Sequence, residues 1–317
     1  MQIIIHGSIG FDHIKTFPGF FKDHIVADKI HQINTTFELS HVRKKRGGPG
    51  GNIAYNLALL GEEPILVASV GDDAEEYIHY LERLGVQTKG ISVHAGLRSS
   101  MADLITDKAN NQIGGFYVGA AGESVDFSLS QMLHPEQCIL ILSPSNNNPD
   151  TMRLIREAKE FGTKYIFDPG QTTANFTPEE LQEAIAGAFM LIVNDYEHEL
   201  IKKRTGYSQE DILQHVNILI QTLGKSGSVI YRKGVQQHIP ICREFDLVDP
   251  TGAGDAYRAG LLKGIVEHLS VEHAGLIAAT TAAFVISEHG TQEHVFTHED
   301  FKRAFERNFG VQTPIYF

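Results

Sequence analysis

Cysteine, positive charge and long apolar runs are all scarce in this sequence, and each shortage closes off a class of protein. Only Cys138 and Cys242 occur in 317 residues. Two thiols so far apart in sequence fit no metal or redox spacing, so both read as buried, reduced and inert. The sixteen histidines supply no metal centre either, because Glu197-His198-Glu199 lacks a second His at zincin spacing and His289 and His294 are five apart. Lys and Arg number 27 against 39 Asp and Glu, for a formal net charge of −12. A phosphate backbone needs a basic face, which excludes nucleic acid as the main partner, and the run Arg43-Lys44-Lys45-Arg46 reads as a solvated loop. No apolar stretch approaches the ~18 residues that cross a bilayer. Met1 leads straight into Ile3-Ile4-Ile5 without a basic stretch or a cleavage site, so no signal peptide is expected and the cytoplasm is the expected compartment. Internal repeats and low-complexity linkers are missing too.

What is present is an ordinary globular composition, 42% hydrophobic and 21% charged, long enough for one large α/β domain with an appendage. Short β-branched apolar runs at 2–6, 65–70, 139–142, 164–167, 189–193 and 228–231 read as strands buried on both faces. Helical spacing fills 52–60, 74–84, 151–161, 178–186, 208–223 and 256–267, and 297–308 reads as a last amphipathic helix. The alternation predicts an open, mostly parallel sheet with helices on both faces. Residues 15–46 and 96–122 break the rhythm with alternating polar and apolar positions and turn formers such as Asn110-Asn111 and Gly114-Gly115. They are expected to form one small β lid over a large domain made of 1–14, 47–95 and 123–317; two ordinary surface loops are the plainer alternative.

Chemistry concentrates in a few turns. In Asp249-Pro250-Thr251-Gly252-Ala253-Gly254-Asp255, small residues precede a helical run, so consecutive backbone N–H groups can converge on an anion at a helix N-terminus. Asp255 stands at the same end, where a carboxylate can accept a hydroxyl proton; the same turn also serves as a plain helix cap. Gly47-Gly48-Pro49-Gly50-Gly51-Asn52 lets backbone approach a ligand closely, with Asn52 opening the following helix either as a ligand donor or as an N-cap. Asp12 follows the first strand, where open α/β sheets bind ligands, and it can grip two vicinal hydroxyls or simply make a turn. Gly224-Lys225 is no P-loop, since Leu219 stands where that pattern needs Gly. No Gly-x-Gly-x-x-Gly follows the first strand, which argues against a dehydrogenase.

The two glycine turns, in this order, resemble the two signatures of the ribokinase/PfkB carbohydrate-kinase family. That resemblance implies a ribokinase-like three-layer α/β fold with a small β-sheet lid. It implies Asp255 as general base, with Gly252, Ala253 and Gly254 as the anion hole, and Asp12 on the acceptor sugar. Asn194-Asp195-Tyr196-Glu197 resembles the family's Asn-x-x-Glu element, which implies a Mg²⁺ near Glu197, held through water. Thr222, Gly224 and Gly227 resemble its nucleotide-phosphate turn, and with Asn194, Thr251, Gly290 and Gln292 they are the implied ATP contacts, the last two beside the adenine. The branch most similar is that of bacterial adenosine kinases, which implies acceptor contacts from Ser8, Asp12, Thr36, Gly48, Asn52, Met101, Phe116 and Gln171. Phe116 would stack on a flat purine. Met101 stands where that branch has an aromatic, and Thr172 where a second Gln is expected. The implied reaction is transfer of the ATP γ-phosphate to the 5′-hydroxyl of a ribonucleoside, adenosine first, by a homodimer joined through its lids. A ribose- or fructose-type sugar kinase, another nucleoside kinase and a non-catalytic nucleoside-binding protein are the alternatives, and a monovalent cation at the anion hole is a further implied cofactor.

Overall fold

The computed structural model describes residues 1–144 and 149–315. The chain opens with β1 (Gln2–Gly7), crosses into β2 (Gly10–Thr16) and β3 (His41–Gly47), and returns through α1 (Pro49–Leu59) to β4 (Ile65–Gly71). Then come α2 (Glu75–Arg83), β5 (Gln87–His94), and a second excursion through β6 (Ser100–Thr106) and β7 (Gln112–Tyr117). Strand–helix alternation resumes with β8 (Cys138–Ser143), α3 (Pro149–Phe161), β9 (Lys164–Phe167), α4 (Pro178–Ile185), β10 (Met190–Asn194), α5 (Asp195–Thr205) and α6 (Gln209–His215). The last elements are β11 (Ile218–Thr222), β12 (Ser228–Arg232), β13 (Val235–Ile239), α7 (Ala253–Val266), α8 (Val271–Ile286) and α9 (His298–Phe309).

A nine-stranded sheet has the order β13-β12-β11-β10-β9-β8-β1-β4-β5. It is parallel from β11 through β5, with β12 and β13 added antiparallel at one edge. Side chains alternate across a strand, so β1 sends Ile3 and Ile5 into a cluster with Ile53, Leu261 and Ala278, and Ile4 into another with Leu154, Leu181 and Ile201. Helices α1, α7 and α8 therefore cover one face and α3, α4 and α5 the other. β2, β3, β6 and β7 form a separate four-stranded sheet, order β3-β2-β6-β7, with β2 and β6 parallel. No helix among the described residues is long and apolar enough to cross a membrane.

The apolar runs all became strands, but four expectations change. Arg43-Lys44-Lys45-Arg46, expected as a solvated loop, is the body of β3, with Lys44 over the Phe11 ring, Arg46 over Tyr80 and Lys45 paired with Glu293. The stretch 208–223 is not one helix: α6 stops at His215, Val216 is extended, and Ile218-Leu219-Ile220 forms the buried start of β11. Short all-apolar runs carry no period that separates strand from helix. α1 begins at Pro49 with Gly48 as its N-cap, so Asn52 lies inside the helix and its side chain is free for other work. α7 begins at Ala253, which puts Asp255 in its first turn rather than before it.

Candidate active site

The C-terminal ends of the parallel strands lie along one edge of the large sheet, and the order of strand addition reverses at β1, which pairs with β4 on one side and β8 on the other. Ligands bind outside such a switch point. Here the junction of β1 with α1 is backbone against backbone: Gly51 N–H donates to the Ser8 carbonyl at 3.2 Å, and a Cβ at position 50 would overlap the Gly7 carbonyl. The close approach buries Ser8 and brings the first turn of α1 to the strand end.

Asp255 reaches this spot from α7. Gly252, the N-cap of α7, has φ 82°, a left-handed conformation that glycine adopts without strain. The turn before it is clamped by Asp249, whose carboxylate accepts from Thr251 N–H at 2.9 Å and from Gly290 N–H at 3.1 Å. The N–H groups of the first turn of α7 thus point out of the helix end, together with its positive dipole. The Asp255 carboxylate accepts from Asn52 Nδ2 at 2.8 Å. Burial pushes its pKa up to about 6, with Asp168 adding to the rise and Arg258 and the Asn52 hydrogen bond opposing it. A carboxylate with that pKa can take a proton from an alcohol near neutrality while the helix end holds an anion.

Beneath this pair lies a second layer that sequence reading left without a role. Arg258, one turn further along α7, makes a two-pronged buried ion pair with Asp168 at the end of β9. Ser143 Oγ, at the end of β8, donates to the same Asp168 carboxylate at 2.6 Å. Burial works against the charge on Arg258, but the facing Asp168 outweighs it and the guanidinium pKa rises. Glu197, buried in the first turn of α5, accepts from Asn194 N–H at 2.8 Å while Asn194 Oδ1 accepts from Glu197 N–H at 2.7 Å, a reciprocal cap. Burial raises the Glu197 pKa, Asp168 adds to it, and the Asn194 N–H and Arg258 oppose it.

The remaining candidates divide. Asn194 and Thr222 are register partners at the ends of β10 and β11, and Gly224 and Gly227 shape the turn from β11 into β12. Thr251 and Gly290 are tied together by Asp249. Gln171, exposed, follows β9 in the short helical turn after Asp168. Asp12 lies within β2, its pKa raised by burial, in one cross-strand row with Lys45, Ala102 and Phe116. Met101 falls in the neighbouring row with Phe11, Arg46 and Tyr117. Adjacent rows point to opposite faces, so Met101 does not join Asp12 and Phe116. Thr36 sits exposed in irregular chain before β3, with nothing to bring it to Asp255. Gln292, expected beside adenine, is instead buried with its amide against Asn52 and Tyr77. A cavity of about 240 Å³ is lined by Phe11, Lys44, Lys45, Arg46, Glu76, Tyr77 and Glu293. Its mixed charges include neither Asp255 nor the α7 terminus, so the chemistry is assigned to the strand-end site and not to this cavity.

A buried carboxylate with a raised pKa in the first turn of a helix, at the switch point of a doubly wound sheet, is an arrangement that an α/β enzyme of group transfer to an alcohol can use. Comparison with known proteins agrees. Residues 22–297 match the pfkB family carbohydrate kinase description. The nucleoside kinase of Methanocaldococcus jannaschii is 31% identical over 293 residues, covering 89% of this chain and 92% of that protein. Its crystal structure, described as an archaeal member of the ribokinase family, superposes with a TM-score of 0.84, covering 97% of this chain and 99% of the other at 30% identity. Burkholderia thailandensis nucleoside kinase in complex with inosine is 33% identical, with a TM-score of 0.83 and coverage of 98% and 99%. The chain belongs to the pfkB family of carbohydrate kinases: it is a kinase with the ribokinase-like fold.

Proposed function

We propose that this kinase moves the γ-phosphate of ATP to the 5′-hydroxyl of a ribonucleoside, with adenosine as the preferred acceptor. The observation that carries the reading is the Asp255 carboxylate, held by Asn52 at the N-terminus of α7 with a pKa of about 6. In this reading Asp255 accepts the hydroxyl proton, and the N–H groups of Gly252, Ala253 and Gly254 hold the charge that develops on the transferred group. Ser8, Gly48, Asn52 and Asp12 bind the ribose. Phe116, 57% exposed in the Asp12 row, offers a flat face for the base, and Gln171 borders it. Similarity to nucleoside kinases along nearly the whole chain favours a nucleoside over a free sugar. The bound inosine of the Burkholderia enzyme keeps a second purine nucleoside as the alternative acceptor.

Glu197 would hold Mg²⁺ through a water. Its buried carboxylate is short of compensating charge, and the described residues contain no cluster of three or more His, Cys, Asp or Glu around one point. That donor set suits a metal that keeps most of its waters and takes phosphate oxygens. When bound, Mg²⁺ supplies neutralising charge to the phosphates. Asn194, Thr222, Gly224, Gly227, Thr251 and Gly290 are the residues we assign to ATP, and the cytoplasm, where ATP is plentiful, is the compartment we assign to the protein.

A coupled assay of ADP release across nucleosides and free sugars tests the acceptor. Adenosine is expected to exceed ribose and fructose in kcat/KM by more than about tenfold, since ring stacking contributes ~1 kcal/mol beyond the area it buries. Efficient turnover of free sugars with idle nucleosides would discard the proposal.

We read the small sheet as a lid and its other face as a dimer interface. Val42, Ile113 and Tyr117 lie in the rows alternate to Asp12 and Phe116 and are 64%, 41% and 47% exposed. β3 and β7 leave two unpaired edges, which proteins normally cover. Sedimentation velocity at micromolar concentration should report a dimer; a monomer there removes the interface.

A further inference from the structure

Asn52 has a donor end and an acceptor end, and the neighbouring carboxylate decides which is which. Ionised Asp255 only accepts, so Nδ2 must face it, as it does at 2.8 Å. Oδ1 then needs a donor of its own. Gln292 Nε2 supplies it at 2.9 Å and also donates to the Tyr77 hydroxyl, which in turn donates its own proton to the Gly47 carbonyl at 3.0 Å. Gln292, Asn52 and Tyr77 are all buried, at 4%, 4% and 1% exposure. Turning the Gln292 amide over would set two oxygens against each other, and turning Asn52 over would aim its oxygen at the carboxylate. The Oε1 atom of Gln292 has no partner among the described residues. Leaving a buried carbonyl unpaired is costly, and here the cost accompanies a donor placed on Asn52.

We propose that Gln292 is a positioning residue for phosphoryl transfer, fixing the amide orientation of Asn52 and so keeping the Asn52 donor on the Asp255 carboxylate. The proposal rests on the reading of Asp255 as the base. Gln292 is itself held from both sides. Thr291 Oγ1 donates to the Arg46 carbonyl of β3 at 3.1 Å, Glu293 pairs with Lys45 of β3 at 2.9 Å, and Gly290 is held by Asp249 at 3.1 Å. The amide is therefore referenced at once to the small sheet and to the turn that precedes α7. The charged groups facing Asp255 are Arg258 from α7 and Asp168 after β9, with Glu197 of α5 acting on both. Without the Asn52 donor, burial and Asp168 act on the carboxylate against Arg258 alone, and its pKa climbs.

Gln292→Met keeps the size and removes both donors; Gln292→Glu keeps the shape and presents an acceptor that draws the Asn52 NH₂ away from Asp255. Both variants are expected to lose about 10–100-fold in kcat, the usual effect of removing the partner that orients a functional group. The acidic limb of the kcat/KM profile for the acceptor should move to higher pH, while KM for ATP stays at the wild-type value. A raised KM for ATP with the acidic limb in place would instead make Gln292 a nucleotide contact and overturn the proposal. Should Gln292→Met fail to fold, Gln292→Glu gives the same reading. Asp255→Asn, assayed alongside, separates the two levels. Normal turnover in that variant fails the base assignment, whereas an inactive Asp255→Asn with wild-type acidic limbs in the Gln292 variants fails the positioning role alone.

Discussion

Asp255→Asn is expected to cut turnover by on the order of 10²–10⁴-fold, the range for removal of a general base, while the acceptor still binds. The introduced carboxamide would keep an oxygen for the Asn52 amide, so the geometry survives and only the proton acceptor is lost. The pH dependence of the wild type belongs to the same prediction. A base works only when ionised, so kcat/KM should fall as pH is lowered through about 6. Stability runs the other way. A carboxyl whose pKa rises from 3.8 to about 6 on folding favours the protonated fold, and the stabilisation it contributes at low pH is lost as pH rises through that interval. Asp255→Asn removes this penalty and should be the more stable protein at pH 8, by ~1–3 kcal/mol after allowance for partial exposure, with the gap closing toward pH 4. Turnover within a few-fold of wild type would take Asp255 out of the reaction.

Arg258→Met should give the largest loss of stability of any single substitution considered. Arg258 is 8% exposed and Asp168 3%, and removing one partner of a buried ion pair costs ~3–5 kcal/mol, because the other charge stays buried without compensation. In this protein the uncompensated set is larger than one residue, since Asp168, Glu197 and Asp255 all lean on the same guanidinium. Urea unfolding at pH 7.5 measures the loss directly. Asp168→Asn in the Arg258→Met background should recover part of it, because the orphaned charge is then gone. A single-variant cost below ~1 kcal/mol would mean that the pair is solvated and contributes no more than a surface salt bridge.

The buried strands were legible because β-branched runs such as Ile3-Ile4-Ile5 have only one way to satisfy burial on both faces. α8 was not, since the consecutive residues Ile277, Ala278, Ala279 and Thr280 are all buried, which covers it on nearly every side and leaves no polar stripe to reveal its period. β11 was lost inside an expected helix for the related reason that its apolar core is only three residues long. At the site, the glycine turns announced themselves through local sequence, so Asp255 and Asn52 could be singled out before any coordinates. The Asp168–Arg258 pair could not, because its partners lie 90 residues apart and neither carries a local pattern. Gln292 was noticed, but its amide contacts with Asn52 and Tyr77 were not: a loop position reveals that a side chain is near a turn, not which way its amide points. The parity of Met101 was not legible either: it lies one step along β6 from the row that holds Asp12.

The parallel pairing of β2 with β6 bears on how the molecule assembles. Gly10 of the first excursion is matched with Ser100 of the second, so the four-stranded sheet is sewn from two pieces of chain, and neither piece can complete it alone. Loop closure over such a separation must be met before the pairing returns anything. The nine-stranded sheet supplies that closure, because β1 and β5, from which the two excursions leave, flank β4 in it. The small sheet is accordingly expected to form late and yield first, and local opening there would uncover Asp12 and Phe116, which we assign to the acceptor, without unravelling the scaffold that carries α7.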